Sequence, residues 1–123
     1  MIENLLIRVE TNDRELRYAV WDIVQQDSGD GVEISEPLAK SVDLHQIHSV
    51  LVDLTEDAAL LATLSGLAGR IVHNLAGCFR KQPASRKPRI GLKGCAKAVA
   101  EAAKIFREAG ADVGEIHEEE ETD

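Results

Sequence analysis

The chain has 123 residues, 44% of them hydrophobic and 29% charged, with a formal net charge of −8. That is the size and composition of one ordinary globular domain, which excludes wholesale disorder and two separate cores. The charge is unevenly placed: six of the acids lie in the last nine residues, "EIHEEEETD", leaving 16 acids against 14 bases before them.

The first element, "NLLIRVET", is rich in branched apolar residues and predicts a strand; "NDREL" follows with Asn12 and Glu15 at capping-box spacing, so a helix starts there. Leu16, Val20, Ile23 and Val24 fall on one helical face, and "QQDSGDG" stops the helix. "GVEISEPL" alternates Val32 and Ile34 with Glu33 and Ser35 and ends at Pro37, as a half-buried strand does. Residues 42–54 read equally as strand or as the first turns of a helix. Thr55 followed by Glu56 and Asp57 resembles an N-cap with acids in the first turn, which predicts a long central apolar helix from about Thr55 to Phe79. Its stripe is Leu60, Leu64, Leu67, Ile71, Leu75 and Cys78, flanked by Leu61, Ala68, Val72 and Phe79. "PRIGLKG" is a short strand, "CAKAVAEAAKIFREAG" an Ala-rich helix burying Ala98, Val99, Ala102, Ile105 and Phe106, and "ADVGEI" a last strand. The expected fold class is α/β: a small mixed sheet of about four strands, beginning strand-helix-strand and covered by about three helices. Residues 1–116 form the single domain, and residues 117–123 are expected to be a disordered acidic tail.

Between Arg80 and Lys97 there are seven bases and no acid, whereas residues 1–79 hold 13 acids against five bases. Arg80, Lys81, Arg86, Lys87 and Arg89 are therefore candidate partner-binding residues. The plain alternative is a solvated loop, with Arg80 and Lys81 favourably placed at a helix C-terminus. Nucleic acid is not expected, because the stretch lacks interleaved aromatics for stacking; an acidic protein surface, or masking by the acidic tail, suits it better. Reversing Arg86, Lys87 and Arg89 together is expected to leave folding nearly intact. Tyr18 and Trp21 lie off the apolar face of the first helix and are a second candidate contact, unless a loop covers them.

Gly91, Lys93 and Gly94 are candidate ligand-binding residues, since a strand-to-helix turn there would present N–H groups to an anion; a plain tight turn explains the glycines too. The stretch is neither GxGxxG nor a phosphate loop. Asp43, His45 and His48 lie close together but lack the ligand spacing of a metal centre, and no serine or cysteine occupies a nucleophile motif. No catalytic residue, metal or cofactor is expected. Cys78 and Cys95 read as thiols in a reducing cytoplasm. No signal peptide or membrane span is expected, because Glu3 interrupts the start and Arg70, His73 and Asn74 interrupt the most apolar stretch.

"LLIRVETNDRELRYAVWDIVQQD" is similar to the start of the bacterial effector-associated constant component domains, where an L-x-I-x-V-E strand leads into a helix carrying E-L-R and a Trp. "LATLSGLAGRIVHNLAGCFRKQPASRKPRIGL" resembles their small-residue helix, basic loop and following strand, so the pattern spans most of residues 3–92. The Ala-rich last helix and the Glu tail depart from it. The resemblance implies a non-catalytic adaptor that binds and regulates a larger effector, such as a protease or an NTPase-linked protein of a conflict or signalling system, and it carries no catalytic residues to transfer. A homo-oligomer is compatible with it. Two other readings of the residues remain open: a small regulatory domain binding an anion at the glycine turn, and an acidic immunity or antitoxin protein set against a basic toxin.

Overall fold

A computed structural model of the chain describes residues 1–27, 29–36 and 48–119. The elements are β1 (Ile2–Thr11), α1 (Arg14–Gln26), β2 (Val32–Ser35), β3 (His48–Asp57), α2 (Ala58–Thr63), α3 (Leu67–Arg80), a 3-10 turn (Ala84–Arg86), β4 (Arg89–Cys95), α4 (Ala96–Glu108) and β5 (Asp112–Glu119). The strands form one mixed sheet in the order β2-β3-β1-β4-β5, antiparallel except for the parallel pair β4–β5 joined through α4. The protein is thus α/β with a strand-helix-strand start, as expected. The fifth strand is β3, and it resolves residues 48–54 as strand; residues 42–47 lie outside the described residues.

Alternation along the strands decides which side of the sheet is core. In β1, Leu5, Ile7 and Val9 are fully buried, while Leu6 is half-buried and Arg8 exposed between them. Val50, Val52 and Leu54 of β3 and Ile90 and Leu92 of β4 continue the buried side. Against it pack Leu16, Val20 and Val24 of α1, Leu61 of α2, Ile71, Val72, Leu75 and Phe79 of α3, and Ala98, Val99, Ala102 and Phe106 of α4. Phe79 and Phe106 meet at 5.7 Å between ring centroids, joining α3 to α4 at the centre. All four described helices feed this one cluster, and on the opposite face of the sheet Arg8, Glu33, Ser35, Lys93, Glu115 and His117 are exposed, so among the described residues that face is open.

Three boundaries differ from expectation. The N-cap of α1 is Asp13, not Asn12: its Oδ1 accepts from the N–H groups of Glu15 (3.0 Å) and Leu16 (3.4 Å). The acidic C-terminal stretch is not all tail, because His117, Glu118 and Glu119 pair with Lys93, Gly94 and Cys95 in β5; residues 120–123 lie outside the described residues. The central apolar helix is α3 and begins at Leu67 rather than Thr55. Thr55, Glu56 and Asp57 belong to β3, where ten-residue β1 pairs with them through Asn4, Glu3 and Ile2. Asp57 then caps α2, accepting from Ala59 N–H at 2.9 Å. Leu64 ends α2 in the left-handed conformation, φ 50° and ψ 42°, which leaves Leu60 40% exposed instead of in the core stripe.

The interruption creates a helix N-terminus with no side-chain cap of its own, since the N-cap is Gly66. Glu56 supplies one from the end of β3: its Oε1 accepts from Leu67 N–H at 2.9 Å and its Oε2 from Ala68 N–H at 3.1 Å. A Cβ on Gly66 would fall on that carboxylate, so glycine is what admits it. Glu56→Ala is expected to cost about 1–2 kcal/mol, the scale of a lost N-cap with charge. Urea unfolding at an unchanged m-value checks this, and a midpoint equal to wild type would show the carboxylate to be idle.

Candidate functional site

The basic stretch begins where α3 ends. Arg80 is in the last turn of α3 and Lys81 is its C-cap; both are exposed. Pro83 opens the 3-10 turn at φ −64°, and Pro88 holds Lys87 extended at φ −65°, ψ 135°, so prolines set the path of the loop at both ends. Arg86 and Arg89 are exposed. They stand on the rim of an open depression of about 630 Å³ whose other wall carries Glu10, Asp13, Arg14 and Glu15 from the turn between β1 and α1. The basic end of the molecule therefore faces a wall of mixed sign.

Lys87 departs from the others. It is half-buried, and its ammonium donates to Phe79 O (2.6 Å) and Arg80 O (3.3 Å) at the end of α3 and to Ala109 O (3.1 Å) at the end of α4. All three protons of the ammonium have carbonyl partners, and the charge sits at the negative ends of two helix dipoles. Lys87 holds the fold rather than a surface, which overturns the expectation that reversing it with Arg86 and Arg89 leaves folding intact.

Tyr18 and Trp21 also separate. Tyr18 is 54% exposed, and Arg14 lies 5.3 Å over its ring while donating Nε–H to its hydroxyl at 2.9 Å. Trp21 is partly buried and packs against the core cluster. Arg14 lines the large depression as well, so Tyr18 and the Arg86/Arg89 rim are linked through one side chain.

Gly91 and Gly94 are not at a turn. Both lie within β4, flanked by β1 on one side and β5 on the other, and the passage into α4 falls at Cys95. Gly94 serves close packing: a Cβ there would sit 2.6 Å from Asn4 O of β1. An anion-binding turn built from these glycines is thereby replaced by sheet. Cys78 and Cys95 are free thiols, half-buried, and burial pushes the Cys78 thiol up against a smaller opposing pull from the Lys81 charge. Asp43 and His45, weighed as metal ligands, lie outside the described residues; among the described residues no group of three or more His, Cys, Asp or Glu is placed to hold a metal ion. No helix among them is long and apolar enough to cross a membrane.

The open face of the sheet is the surface that sequence reasoning passed over. Two rows of side chains cross it perpendicular to the strands. One row is Glu33, Asp53, Leu6, Lys93 and His117, in the order β2 to β5. The other is Ser35, Leu51, Arg8, Gly91 and Glu115. Around Gly91, which contributes no side chain, is a shallow depression of about 140 Å³ bounded by Leu6, Arg8, Lys93 and Glu115. The alternation in "NLLIRVE" is the signal that would have found this face, since it places Leu6 and Arg8 opposite Leu5, Ile7 and Val9.

Fold and surfaces together define, over the described residues, a two-layer α/β domain with one sheet face open and one basic end. Compared with known proteins, the chain matches no family model, no curated protein and no solved structure.

Proposed function

We propose that the protein is a non-catalytic accessory domain that binds and regulates a larger effector through its basic end. The observation that carries this reading is the grouping of exposed Arg86 and Arg89 with Arg14 around one open depression, with exposed Tyr18 held against Arg14 outside it. Arginine and tyrosine are the residue types that most often anchor protein interfaces, because each offers a large, partly apolar surface with a directed polar end. Arg80 and Lys81 extend the positive surface along the end of α3. The partner surface this end suits is acidic, with an apolar recess for Tyr18. The resemblance to effector-associated constant component domains supports the same role on residue pattern alone and points to a protease or NTPase-linked effector, while the free Cys78 and Cys95 thiols suit a reducing cytoplasm.

The test separates the basic end from the fold by sparing Lys87. Arg86→Glu with Arg89→Glu should leave unfolding unchanged while weakening capture of the copurifying effector at least about tenfold, with a flatter salt dependence in what remains. Affinity for that effector unchanged at low salt would return Arg86 and Arg89 to an ordinary solvated loop.

A further inference from the structure

We propose that the open sheet face is the interface of a symmetric homodimer, with the two-fold axis running along β1. The inference is independent of effector binding at the basic end. It rests on the order of polar and charged side chains across the sheet, above all Asp53 and Lys93 on either side of Leu6. On the β2–β3 side of Leu6 stand Glu33 and Asp53, and on the β4–β5 side stand Lys93 and His117, each directly beside the next in register.

A face-to-face dimer of identical chains needs a two-fold axis lying in the interface. If that axis ran across the strands, Glu33 and Asp53 would face their own copies, setting like charges opposite one another. If it runs along β1, left and right exchange: Asp53 of one chain faces Lys93 of the other, and Glu33 faces His117. Leu6 then lies over Leu6 on the axis. Leu51, one strand to the acidic side, comes over Gly91 of the second copy, one strand to the basic side, where the missing side chain leaves the shallow depression. A half-buried leucine thus faces a position without a side chain at both symmetry-related places.

Arg8 and Glu10 lie on the axis with Leu6, so each faces its own copy, and the like charges there are offset only by the Arg8–Glu10 pair within each chain. They pair within one chain at 4.0 Å, so four side chains from two copies make a group of balanced sign. Strands of the two sheets run in the same direction, and their twist gives the aligned packing common to sheet sandwiches. Five strands at about 4.8 Å spacing offer a footprint of roughly 600 Å² per chain, against about 800 Å² in a standard specific interface. The dimer is accordingly one that dissociates on dilution, with Kd on the order of micromolar.

Sedimentation equilibrium on the full chain over a concentration series tests this. Wild type should follow a monomer–dimer equilibrium. Asp53→Lys alone and Lys93→Asp alone should each be monomeric, since each sets like charges across the axis twice. Mixed in equal amounts the two variants should dimerise again, because every altered charge now meets its opposite; misfolded variants cannot produce that rescue. Leu51→Gln, a milder change on the same face, should raise Kd at least about tenfold. Wild type that stays monomeric at every concentration, a mixture that stays monomeric when both variants fold, or an unchanged Kd in Leu51→Gln would each overturn the proposal. A monomeric wild type that loses its effector on Asp53→Lys would overturn it in favour of an effector surface.

Discussion

Lys87→Glu should lower the melting temperature of the isolated protein by roughly 10–15 °C, while Arg86→Glu, one residue earlier, shifts it by no more than about 2 °C. The asymmetry follows from what each ammonium or guanidinium touches. Lys87 Nζ donates to carbonyls of Phe79, Arg80 and Ala109, and so closes the C-termini of α3 and α4 with one charge. Removing it leaves carbonyls at two helix ends without that donor, and hydrogen bonds to charged groups contribute about 1.5–3 kcal/mol each when deletion strands a partner. A carboxylate in its place adds repulsion at two negative helix termini, for a total on the order of 3–4 kcal/mol. Lys87→Met, which keeps the stem and loses only the charge, should cost about 2 kcal/mol. Equal melting temperatures for Lys87→Glu and Arg86→Glu would mean that the two helix ends are satisfied without Lys87.

Nothing local in "ASRKPRIG" distinguishes Lys87 from its neighbours. Arg86, Lys87 and Arg89 have the same sign, similar reach and the same polar surroundings in the chain. What selects Lys87 is the convergence of α3 with α4, whose last carbonyl is 22 residues further on. Pro88 is the nearest thing to a signal, since it keeps the backbone of the preceding residue extended. Tyr18 and Trp21 divide for a related reason: both lie off the buried stripe of α1, but only the position of Trp21 comes against the core cluster.

Periodicity made most of the fold legible. The buried residues of α1 and α4 fall where a 3.6-residue repeat puts them, and β1, β2 and β4 show the strand alternation in their own composition. The failure came at "DLTEDAALLATLSGLAGRIVHNLAG", where one apolar period of 3.6 runs through strand end, helix, break and helix. Acids after a threonine signalled a helix N-terminus correctly in kind, and Glu56 does cap a helix, but from outside and eleven residues away from Leu67. Pairing with β1 kept Thr55 to Asp57 extended, and pairing between strands distant in sequence has no local signature. Alternation in "NLLIRVE" marks the open face, but the order of charges on it was hidden by the same limit: Asp53 and Lys93 become neighbours of Leu6 only through register.

Gly69→Ala and Gly77→Ala, the same substitution eight residues apart on α3, should have opposite signs. Alanine is favoured over glycine in a helix by about 1 kcal/mol, and a Cβ at Gly77 would meet nothing within 4 Å, so Gly77→Ala should stabilise by about 0.5–1 kcal/mol. Gly69 is buried, and a Cβ there would fall on the backbone carbonyl of Leu64, where the left-handed residue ends α2 and folds the chain against α3. That carbonyl has little room to withdraw. Leu64 N–H is bonded to Leu61 O at 3.1 Å, Ser65 N–H to Leu60 O at 3.2 Å, and Glu56 holds the first N–H groups of α3 from the other side. Overlap with backbone outweighs the propensity gain, and Gly69→Ala should destabilise by about 2–4 kcal/mol, read as a lower urea midpoint. Stabilisation at both sites would show instead that the turn from Leu64 to Gly66 yields easily and that α2 and α3 can straighten into one helix. The Glu56 cap would then have no helix terminus to serve, and Glu56→Ala in the Gly69→Ala background would cost nothing further, so the two substitutions together decide whether the break in the apolar helix is built into the fold.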